Sequence, residues 1–304
     1  MILPRVGVFD SGVGGLTVLR AMAERLPAHY LYFGDTARLP YGTKSAETVA
    51  RYAIAAARFL EAQNIDLLVV ACNTATALAL PLINDAAHVP VVGVVEPGAA
   101  MAAEVSKSRA AIVIATEATV SSHAYRDALQ RHGLTAVEKA CPLFVPLVEE
   151  GWIEHSVTEQ VAGIYLGEAM AQAPKQADVL VLACTHYPLI APLLRRIVPD
   201  NVAIVDSAES TARVVKQMVE EHGMLSPKLA EQSVASASDV DGLQRGSAAL
   251  SGDRSPRTPG VTVSPAEHRT FRFYVTDSVE KFKRLATRFL GRQVDNVEHV
   301  DLSE

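Results

Sequence analysis

LLVVACNT, residues 67–74, is followed later in the chain by a second version of itself, VLVLACTH, residues 179–186. In both copies a run of branched apolar residues, typical of a buried parallel strand, ends in Ala-Cys and continues into small polar residues. Open α/β sheets place their ligands at the carboxyl ends of strands, which is where Cys72 and Cys184 lie in this interpretation. The repeat therefore predicts two related α/β halves, and facing halves would bring the two thiols together.

The segments around the repeat follow the same βα pattern, with short buried strands separated by amphipathic helices such as residues 45–64. Upstream of the two cysteines, strands end at Asp10 and at Thr116, and downstream strands reach Glu96 and Asp206. We expect two similar α/β domains with parallel sheets, related by a pseudo-two-fold axis, and a functional site in the cleft between them. The predicted strands are Arg5–Phe9, His29–Phe33, Asp66–Ala71, Val89–Val95, Ala110–Ala115, Asp178–Ala183 and Val202–Val205.

Residues 226–268 interrupt this pattern, because 16 of these 43 residues are Ser, Gly or Pro and none is aromatic. Such a segment can bury little apolar surface, so it is predicted to be a flexible surface insertion. A predicted strand at Phe271–Thr276 and a predicted helix at Asp277–Leu290 then return the chain to a folded domain. The expected domains are a discontinuous first one, residues 1–95 with 206–304, and a second one, residues 96–205.

Composition and charge exclude several classes of protein. The 304 residues carry a formal charge of −6, from 28 Lys and Arg against 34 Asp and Glu, without a long basic run, which argues against nucleic acid as a partner. Three cysteines are too few for a disulfide framework. With no signal peptide and no apolar run of ~18 residues, we expect a soluble cytoplasmic protein without a membrane partner.

The two repeated cysteines are the strongest candidates for chemistry. Cys72 and Cys184 each precede a predicted helix start, where backbone N–H groups and the helix dipole favour the thiolate. His186, two residues after Cys184, is a candidate acid/base partner. Two thiols facing across a cleft suit the removal of a proton from one face of a carbon and its return to the other face, which is two-base racemisation. A hydrolase would leave one cysteine without a role. A metal site of Cys72, Cys184 and His186 is a further alternative, but the candidate anion-binding turn near them argues against it. Cys141 is interpreted as a buried thiol.

The segment VFDSGVGG, residues 8–15, is a candidate anion-binding turn. Its glycines follow Asp10 and Ser11 and could expose backbone N–H groups to a carboxylate, although a tight turn capped by Asp10 fits equally well. The glycine spacing does not match the dinucleotide-binding fingerprint. Further neutral donors for carboxylate oxygens are Asn73, Thr74, Thr116, Thr119 and Thr185.

A second candidate binding loop spans residues 34–45. Pro40 and Gly42 give it turn character and leave neighbouring N–H groups free to face a ligand. Asp35 could bind an amine, and a capping or surface role fits it at least as well. Lys44 is a less favoured candidate for a Schiff base with pyridoxal phosphate than for ordinary solvation at a helix start.

Several strings occur together in this order: VFDSGVGGLTV, YFGDTARLPYGTKS, VVACNTATA, PLFVPLVEEG, VLACTHYPL and RFYVTDSVEKFKRLATRFLG. With the Thr116 and Thr119 segment they resemble the glutamate racemases of the cofactor-independent aspartate/glutamate racemase superfamily. The resemblance implies interconversion of L- and D-glutamate, without cofactor or metal, to supply peptidoglycan synthesis in a bacterial cytoplasm. It also implies glutamate as the small-molecule partner and a homodimer. The alternatives are a racemase of the same mechanism acting on aspartate or a related acid, and an amino-acid-binding module without catalysis.

The resemblance also implies roles for individual residues. Cys72 corresponds to the base that deprotonates D-glutamate and Cys184 to the base for L-glutamate, with Asp10 and His186 as their respective acid/base helpers. A further functional glutamate corresponds to Glu149 or its neighbour Glu150, and we favour Glu149. The positions that match substrate contacts are Asp10, Ser11, Pro40, Tyr41, Gly42, Cys72, Asn73, Thr74, Thr116, Thr119, Cys184, Thr185 and His186.

Overall fold

The computed structural model describes residues 3–224 and 269–302, and the predicted insertion at 226–268 lies outside the described residues. The described chain forms two sheets in which every pair of neighbouring strands is parallel. Helices connect the strands, as parallel pairing requires. The predicted α/β class with parallel sheets is therefore confirmed. Within the described ranges, no helix is both long and apolar enough to cross a bilayer.

The elements alternate regularly along the chain. The strands are β1 (Arg5–Asp10), β2 (His29–Gly34), β3 (Leu67–Val70), β4 (Val91–Gly93), β5 (Ala110–Ala115), β6 (Thr135–Ala140), β7 (Val179–Ala183), β8 (Ala203–Asp206), β9 (Phe271–Val275) and β10 (Val297–His299). The α-helices are α1 (Leu16–Arg25), α2 (Ala46–Glu61), α3 (Asn73–Ala86), α4 (Val95–Val105), α5 (Glu117–Ser122), α6 (Ala124–Arg131), α7 (Phe144–Glu149), α8 (Ser156–Gln172), α9 (Ala191–Ile197), α10 (Ser207–Glu221) and α11 (Val279–Leu290). Short 3₁₀ helices span Tyr41–Thr43 and Tyr187–Ile190.

The two sheets repeat the same strand order. One sheet runs β10–β9–β2–β1–β3–β4 and the other runs β6–β5–β7–β8, so β2–β1–β3–β4 corresponds strand for strand to β6–β5–β7–β8. The repeated strings therefore occupy equivalent strands, β3 and β7. The strands that follow β1 in the chain lie on opposite sides of it, with β2 on one side and β3 on the other, and β6 and β7 flank β5 in the same way. This reversal of direction opens a crevice at the carboxyl ends of the strands.

Alternation along the strands divides the interior into faces. Val6 and Val8 of β1 lie in one hydrophobic cluster with Ile112 and Ile114 of β5, so this core is shared by the two halves. The opposite faces of the sheets pack into separate clusters, one for each half. The shared core packs the two halves against each other.

Three details differ from the sequence prediction. The predicted strand reaching Glu96 is wrong, because β4 ends at Gly93 and Glu96 lies in the first turn of α4. Strands β6 and β10 were not predicted. Each lies at the edge of its sheet, and partly exposed residues such as Glu138 and Lys139 in β6 give no buried apolar run.

The C-terminal elements return to the first sheet. Strand β9 pairs with β2 and β10 pairs with β9, and α11 ends at Gly291 in a left-handed conformation, with φ of 75°. We propose the domain division expected from the sequence, residues 1–95 with 206–304, and residues 96–205. The membership of β9 and β10 in the first sheet, and of β5 to β8 in the second, supports this proposal.

Candidate active site

Both repeated cysteines open into one cavity of about 340 Å³ between the halves. Cys72 directly precedes α3 and Cys184 directly follows β7, so each thiol lies at the carboxyl end of its sheet. The other expected residues on the cavity wall are Ser11, Pro40, Tyr41, Gly42, Asn73, Thr74, Thr116, Glu149, Thr185 and His186. Asp10 and Thr119 do not line the cavity, and both are buried behind it.

The surroundings of Cys72 hold its proton on the sulfur. Its Sγ lies 3.4 Å from the Ser11 hydroxyl oxygen and accepts from the backbone N–H of Ala75 at 3.4 Å. Burial, reinforced by the negative charge of Asp10, raises the pKa of Cys72 to about 12. The N–H at the helix start lowers the pKa of Cys72, in the predicted direction, but desolvation and the Asp10 charge outweigh this contact.

Asp10 is itself enclosed. Its Oδ2 accepts from the backbone N–H of Gly12 at 2.9 Å, and the Tyr32 hydroxyl lies 3.4 Å from the same oxygen. Burial raises the pKa of Asp10, against the opposing charge of His186. Because Asp10 takes up an N–H of the glycine segment, the geometry favours the tight-turn interpretation over an anion site formed by these N–H groups.

Cys184 has different neighbours. Its Sγ lies 4.0 Å from Nδ1 of His186, whose Nε2 lies 3.0 Å from Oε1 of Glu149. Burial alone would lower the pKa of His186, but the sulfur and the carboxylate outweigh it and raise the pKa to about 10. Burial opposes ionisation of Glu149 in the same way, yet the contact with His186 lowers its pKa. An imidazolium cation therefore lies between a sulfur and a carboxylate at neutral pH.

The prediction that an α-helix begins directly after Cys184 is wrong. The chain instead forms the 3₁₀ helix Tyr187–Ile190 before α9 begins at Ala191. The cation that accompanies this thiol is thus a side chain rather than a helix terminus. Glu150, the alternative to Glu149, is exposed at the end of α7 and does not line the cavity.

Three threonine hydroxyls connect the halves beside the cavity. The Oγ1 of Thr74 lies 2.9 Å from that of Thr116 and 3.2 Å from that of Thr119, and the latter two are 2.9 Å apart. Each hydroxyl can donate and accept, so the group adapts to a ligand without adding charge. Thr119 therefore has an indirect position, behind Thr74 and Thr116.

Asp35 and Lys44 lie off the cavity wall. Asp35 is buried and accepts from the hydroxyls of Tyr41, at 2.6 Å, and Thr276, at 2.8 Å. It therefore fixes the loop that carries Tyr41, and the interpretation as an amine-binding group is not supported.

The glycine segment serves close packing between the halves. A Cβ on Gly14 would lie 2.2 Å from Oγ1 of Thr185 and 2.5 Å from Nδ1 of His186. Thr17, one turn further on, donates to the backbone oxygen of Thr185 at 3.1 Å. The first half thus contacts the loop after Cys184 through Gly14, where there is no room for a side chain.

Comparison with known proteins agrees with this arrangement. Residues 6–215 match the family model described as Asp/Glu/Hydantoin racemase. The chain belongs to this racemase family. A glutamate racemase of Koribacter versatilis is 58% identical over 300 residues, which cover 98% of each chain.

Two solved structures extend the likeness of this racemase-family chain to the fold. Glutamate racemase from Thermus thermophilus, in complex with β-chloro-D-alanine, is 40% identical with a TM-score of 0.77, and the match covers 98% of this chain and 97% of that one. Glutamate racemase from Francisella tularensis, in complex with D-glutamate, is 30% identical with a TM-score of 0.79 and 98% coverage of both chains.

Sequence reasoning missed part of the wall. The residues not expected there are Gly12, Leu39, Thr43, Glu117, Pro142, Val145 and Pro146. Several lie in the two strings YFGDTARLPYGTKS and PLFVPLVEEG, which carried the resemblance but had suggested no chemistry for their apolar members. Leu39, Pro142, Val145 and Pro146 add apolar surface to the cavity wall.

Proposed function

We propose that this racemase-family chain interconverts L- and D-glutamate with Cys72 and Cys184 as the two acid/base groups. The observation that carries the proposal is that equivalent strand ends of two similar halves bring both thiols to one cavity. Each thiol approaches the α-carbon from its own half, which is the geometry that inversion requires. No pyridoxal phosphate or metal takes part in this mechanism.

The protonation states set the first step. The raised pKa of Cys72 keeps its proton on the sulfur, whereas Nδ1 of the His186 cation lies 4.0 Å from the sulfur of Cys184, to which we assign the role of first base. The Cys184 thiolate takes the α-proton of L-glutamate, and the Cys72 thiol gives its proton to the opposite face of the carbanion-like intermediate. The products are D-glutamate, a Cys184 thiol and a Cys72 thiolate, which is the form that reacts with D-glutamate.

The α-proton is weakly acidic, so the cavity must stabilise developing negative charge. Fixed neutral donors do this without reorganising during the reaction. The residues proposed to bind the carboxylates and the ammonium group line the cavity and are Ser11, Asn73, Thr74, Thr116 and Thr185, with the loop Pro40, Tyr41 and Gly42. Asp10 and Thr119 lie behind the wall, and we propose that Asp10 assists Cys72 and that Thr119 orients the hydroxyls of Thr74 and Thr116. Glu149 is proposed to hold His186 in its protonated form, and Glu150 has no part.

The test is racemisation of L-glutamate in deuterated water without pyridoxal phosphate. Deuterium should enter the D product first, while recovered L-glutamate keeps its α-proton, because separate groups remove and deliver protons. Cys72→Ala and Cys184→Ala should each lose about 10²–10⁴-fold or more in rate, as expected for loss of a general acid or base. Cys141→Ala is the matched control and should retain full activity, because Cys141 lies outside the cavity wall. A fully active Cys184→Ala enzyme refutes the mechanism.

Substrate choice has a separate readout. Glutamate should be turned over faster than aspartate by the same preparation. Faster turnover of aspartate would keep the two-thiol mechanism and refute glutamate as the substrate. We further propose that the D-glutamate serves peptidoglycan synthesis in the bacterial cytoplasm, and depletion of the chain should then be rescued by external D-glutamate.

A homodimer is also proposed, on the resemblance to the family. Sedimentation equilibrium of the full chain should give twice the mass of 32.5 kDa. A single species at the monomer mass would refute the dimer without affecting the chemistry.

A further inference from the structure

A buried tyrosine outside the cavity contacts one of the proposed substrate-binding side chains. Tyr125, in α6, is fully buried, and its hydroxyl donates to Oδ1 of Asn73 at 2.6 Å. The amide nitrogen of Asn73 donates in turn to the hydroxyl of Ser207 at 3.2 Å. Asn73 begins α3 in the first half and lines the cavity, whereas Tyr125 belongs to the second half.

Two hydroxyls therefore contact opposite ends of the Asn73 amide. An asparagine side chain carries one acceptor oxygen and a nitrogen with two hydrogens, and the two ends have nearly the same shape. A phenol is a stronger donor than acceptor, so Tyr125 favours the amide oxygen as its partner and donates its hydrogen to that oxygen. Ser207 takes one hydrogen of the nitrogen, so the second N–H of Asn73 is the group left for a ligand.

We infer that Tyr125 is a positioning residue for racemisation, because its hydroxyl orients Asn73 so that an N–H, and not the carbonyl oxygen, meets a carboxylate of the bound amino acid. The inference rests on the proposed function, which supplies that carboxylate. With the Tyr125 hydroxyl removed, Ser207 is the remaining contact of the amide, and its hydroxyl can accept from the nitrogen or donate to the oxygen. The amide can then rotate and present its oxygen, which repels a carboxylate. The contact between Tyr125 and Asn73 also joins the two halves next to the cavity.

A buried tyrosine hydroxyl commonly has a hydrogen-bond partner for reasons of stability alone. A purely structural role would lower the stability of the fold and leave binding untouched. The two roles therefore differ in KM, and they differ in whether the effect depends on Asn73.

The experiment compares Tyr125→Phe in the full-length parent and in an Asn73→Ala background. In the parent, Tyr125→Phe should lower kcat/KM for glutamate about tenfold, equal to ~1.4 kcal/mol, mainly through a higher KM. In the Asn73→Ala background it should cause no further loss, because no amide remains to be oriented. Tyr30→Phe is the matched control, since the Tyr30 hydroxyl is buried and donates to the backbone oxygen of Leu26 away from the cavity.

Two results would overturn the inference. One is an unchanged KM in Tyr125→Phe, and the other is an equal loss with and without the Asn73 side chain. If Tyr125→Phe does not fold, Ser207→Ala tests the second contact on the same amide by the same double-mutant comparison. A parent enzyme inactive toward glutamate would instead refute the proposed function, so the two failures are distinguishable.

Discussion

Replacing Glu149 by glutamine tests whether its charge keeps His186 protonated. In the parent, Nε2 of His186 lies 3.0 Å from Oε1 of Glu149. Glutamine keeps the shape of the side chain and an oxygen that can make the same contact. The substitution removes the negative charge. The cation should then lose stability, and the pKa of His186 should fall from its value of about 10.

The size of the fall follows from the geometry. Two unit charges about 4 Å apart attract by about 4 kcal/mol at an effective dielectric constant of ~20. Side-chain exposures of 10% for His186 and 21% for Glu149 admit some screening by water. A charge-assisted hydrogen bond contributes about 1.5–3 kcal/mol, which corresponds to ~1–2 pKa units. The pKa of His186 in Glu149→Gln should therefore lie one to two units lower, at roughly 8–9.

The assay is the pH dependence of initial racemisation rates, followed by circular dichroism. The decline of kcat/KM on the alkaline side should move to lower pH in Glu149→Gln, because the active form needs the His186 cation. The amino group of the substrate also titrates in this range, but it does so identically for every variant. The difference between variants therefore reports the enzyme.

Glu150→Gln is the matched control, one residue along the chain, exposed and off the cavity wall. Its alkaline decline should coincide with that of the parent. An unmoved decline in Glu149→Gln, or an equal shift in Glu150→Gln, would refute the assignment of this charge to His186.

Stability offers a second readout without substrate. Because the pKa of His186 is raised on folding, its contribution to the free energy of unfolding is complete below the unfolded-state pKa of about 6.5. The contribution is lost as the pH rises toward the folded-state value of about 10. In Glu149→Gln this contribution should be smaller and should vanish at a lower pH, as measured by urea unfolding between these limits. Equal pH dependence in both proteins would contradict the raised pKa.

Two further predictions concern packing and thiol chemistry. Gly14→Ala should lower the free energy of unfolding, measured in urea, by about 1–3 kcal/mol, because the added Cβ would lie 2.2 Å from Oγ1 of Thr185. Gly163 lies in an exposed part of α8, where an added Cβ meets no atom within 4 Å. Gly163→Ala should therefore raise the free energy of unfolding by roughly 0.5–1 kcal/mol. Equal effects would show that Gly14 has room. Alkylation of Cys72 by iodoacetamide, in a chain whose other cysteines are alanine, should accelerate about tenfold per pH unit up to pH 10, because its pKa is about 12. A plateau near neutral pH, detected by mass spectrometry, would contradict that value.

The topology was predictable because its decisive feature is local. A buried parallel strand is a short apolar run, and two such runs ending in Ala-Cys identify equivalent strands β3 and β7 without any long-range information. Edge strand β6 has no such apolar run, because it is partly exposed to solvent and charged residues are tolerated there. The placement of most candidate residues around one cavity followed from the rule that strand ends meet at one edge.

Protonation could not be predicted in the same way. The helix start at Cys72 is visible in the sequence, but the burial and the Asp10 charge that raise its pKa arise only when β1 and β3 pair. The choice between Glu149 and Glu150 likewise needs a tertiary contact, because neighbouring glutamates at a helix end have the same local pattern. Only the approach of His186 distinguishes them.

The two halves therefore share a strand order but differ in the groups that surround their thiols. Enantiomers have equal free energy in water, so their equilibrium constant is unity and kcat/KM must be the same in both directions for the parent and for every variant. A substitution near Cys72 or near Cys184 thus lowers both directions equally in kcat/KM, and rates alone cannot say which thiol was affected. Exchange of the α-proton with solvent is not bound by this constraint, because one thiol can remove and return a proton on the same face. With Cys184 replaced by alanine, solvent deuterium should still enter D-glutamate through Cys72 and should not enter L-glutamate, and the reverse labelling pattern would exchange the roles of the two halves.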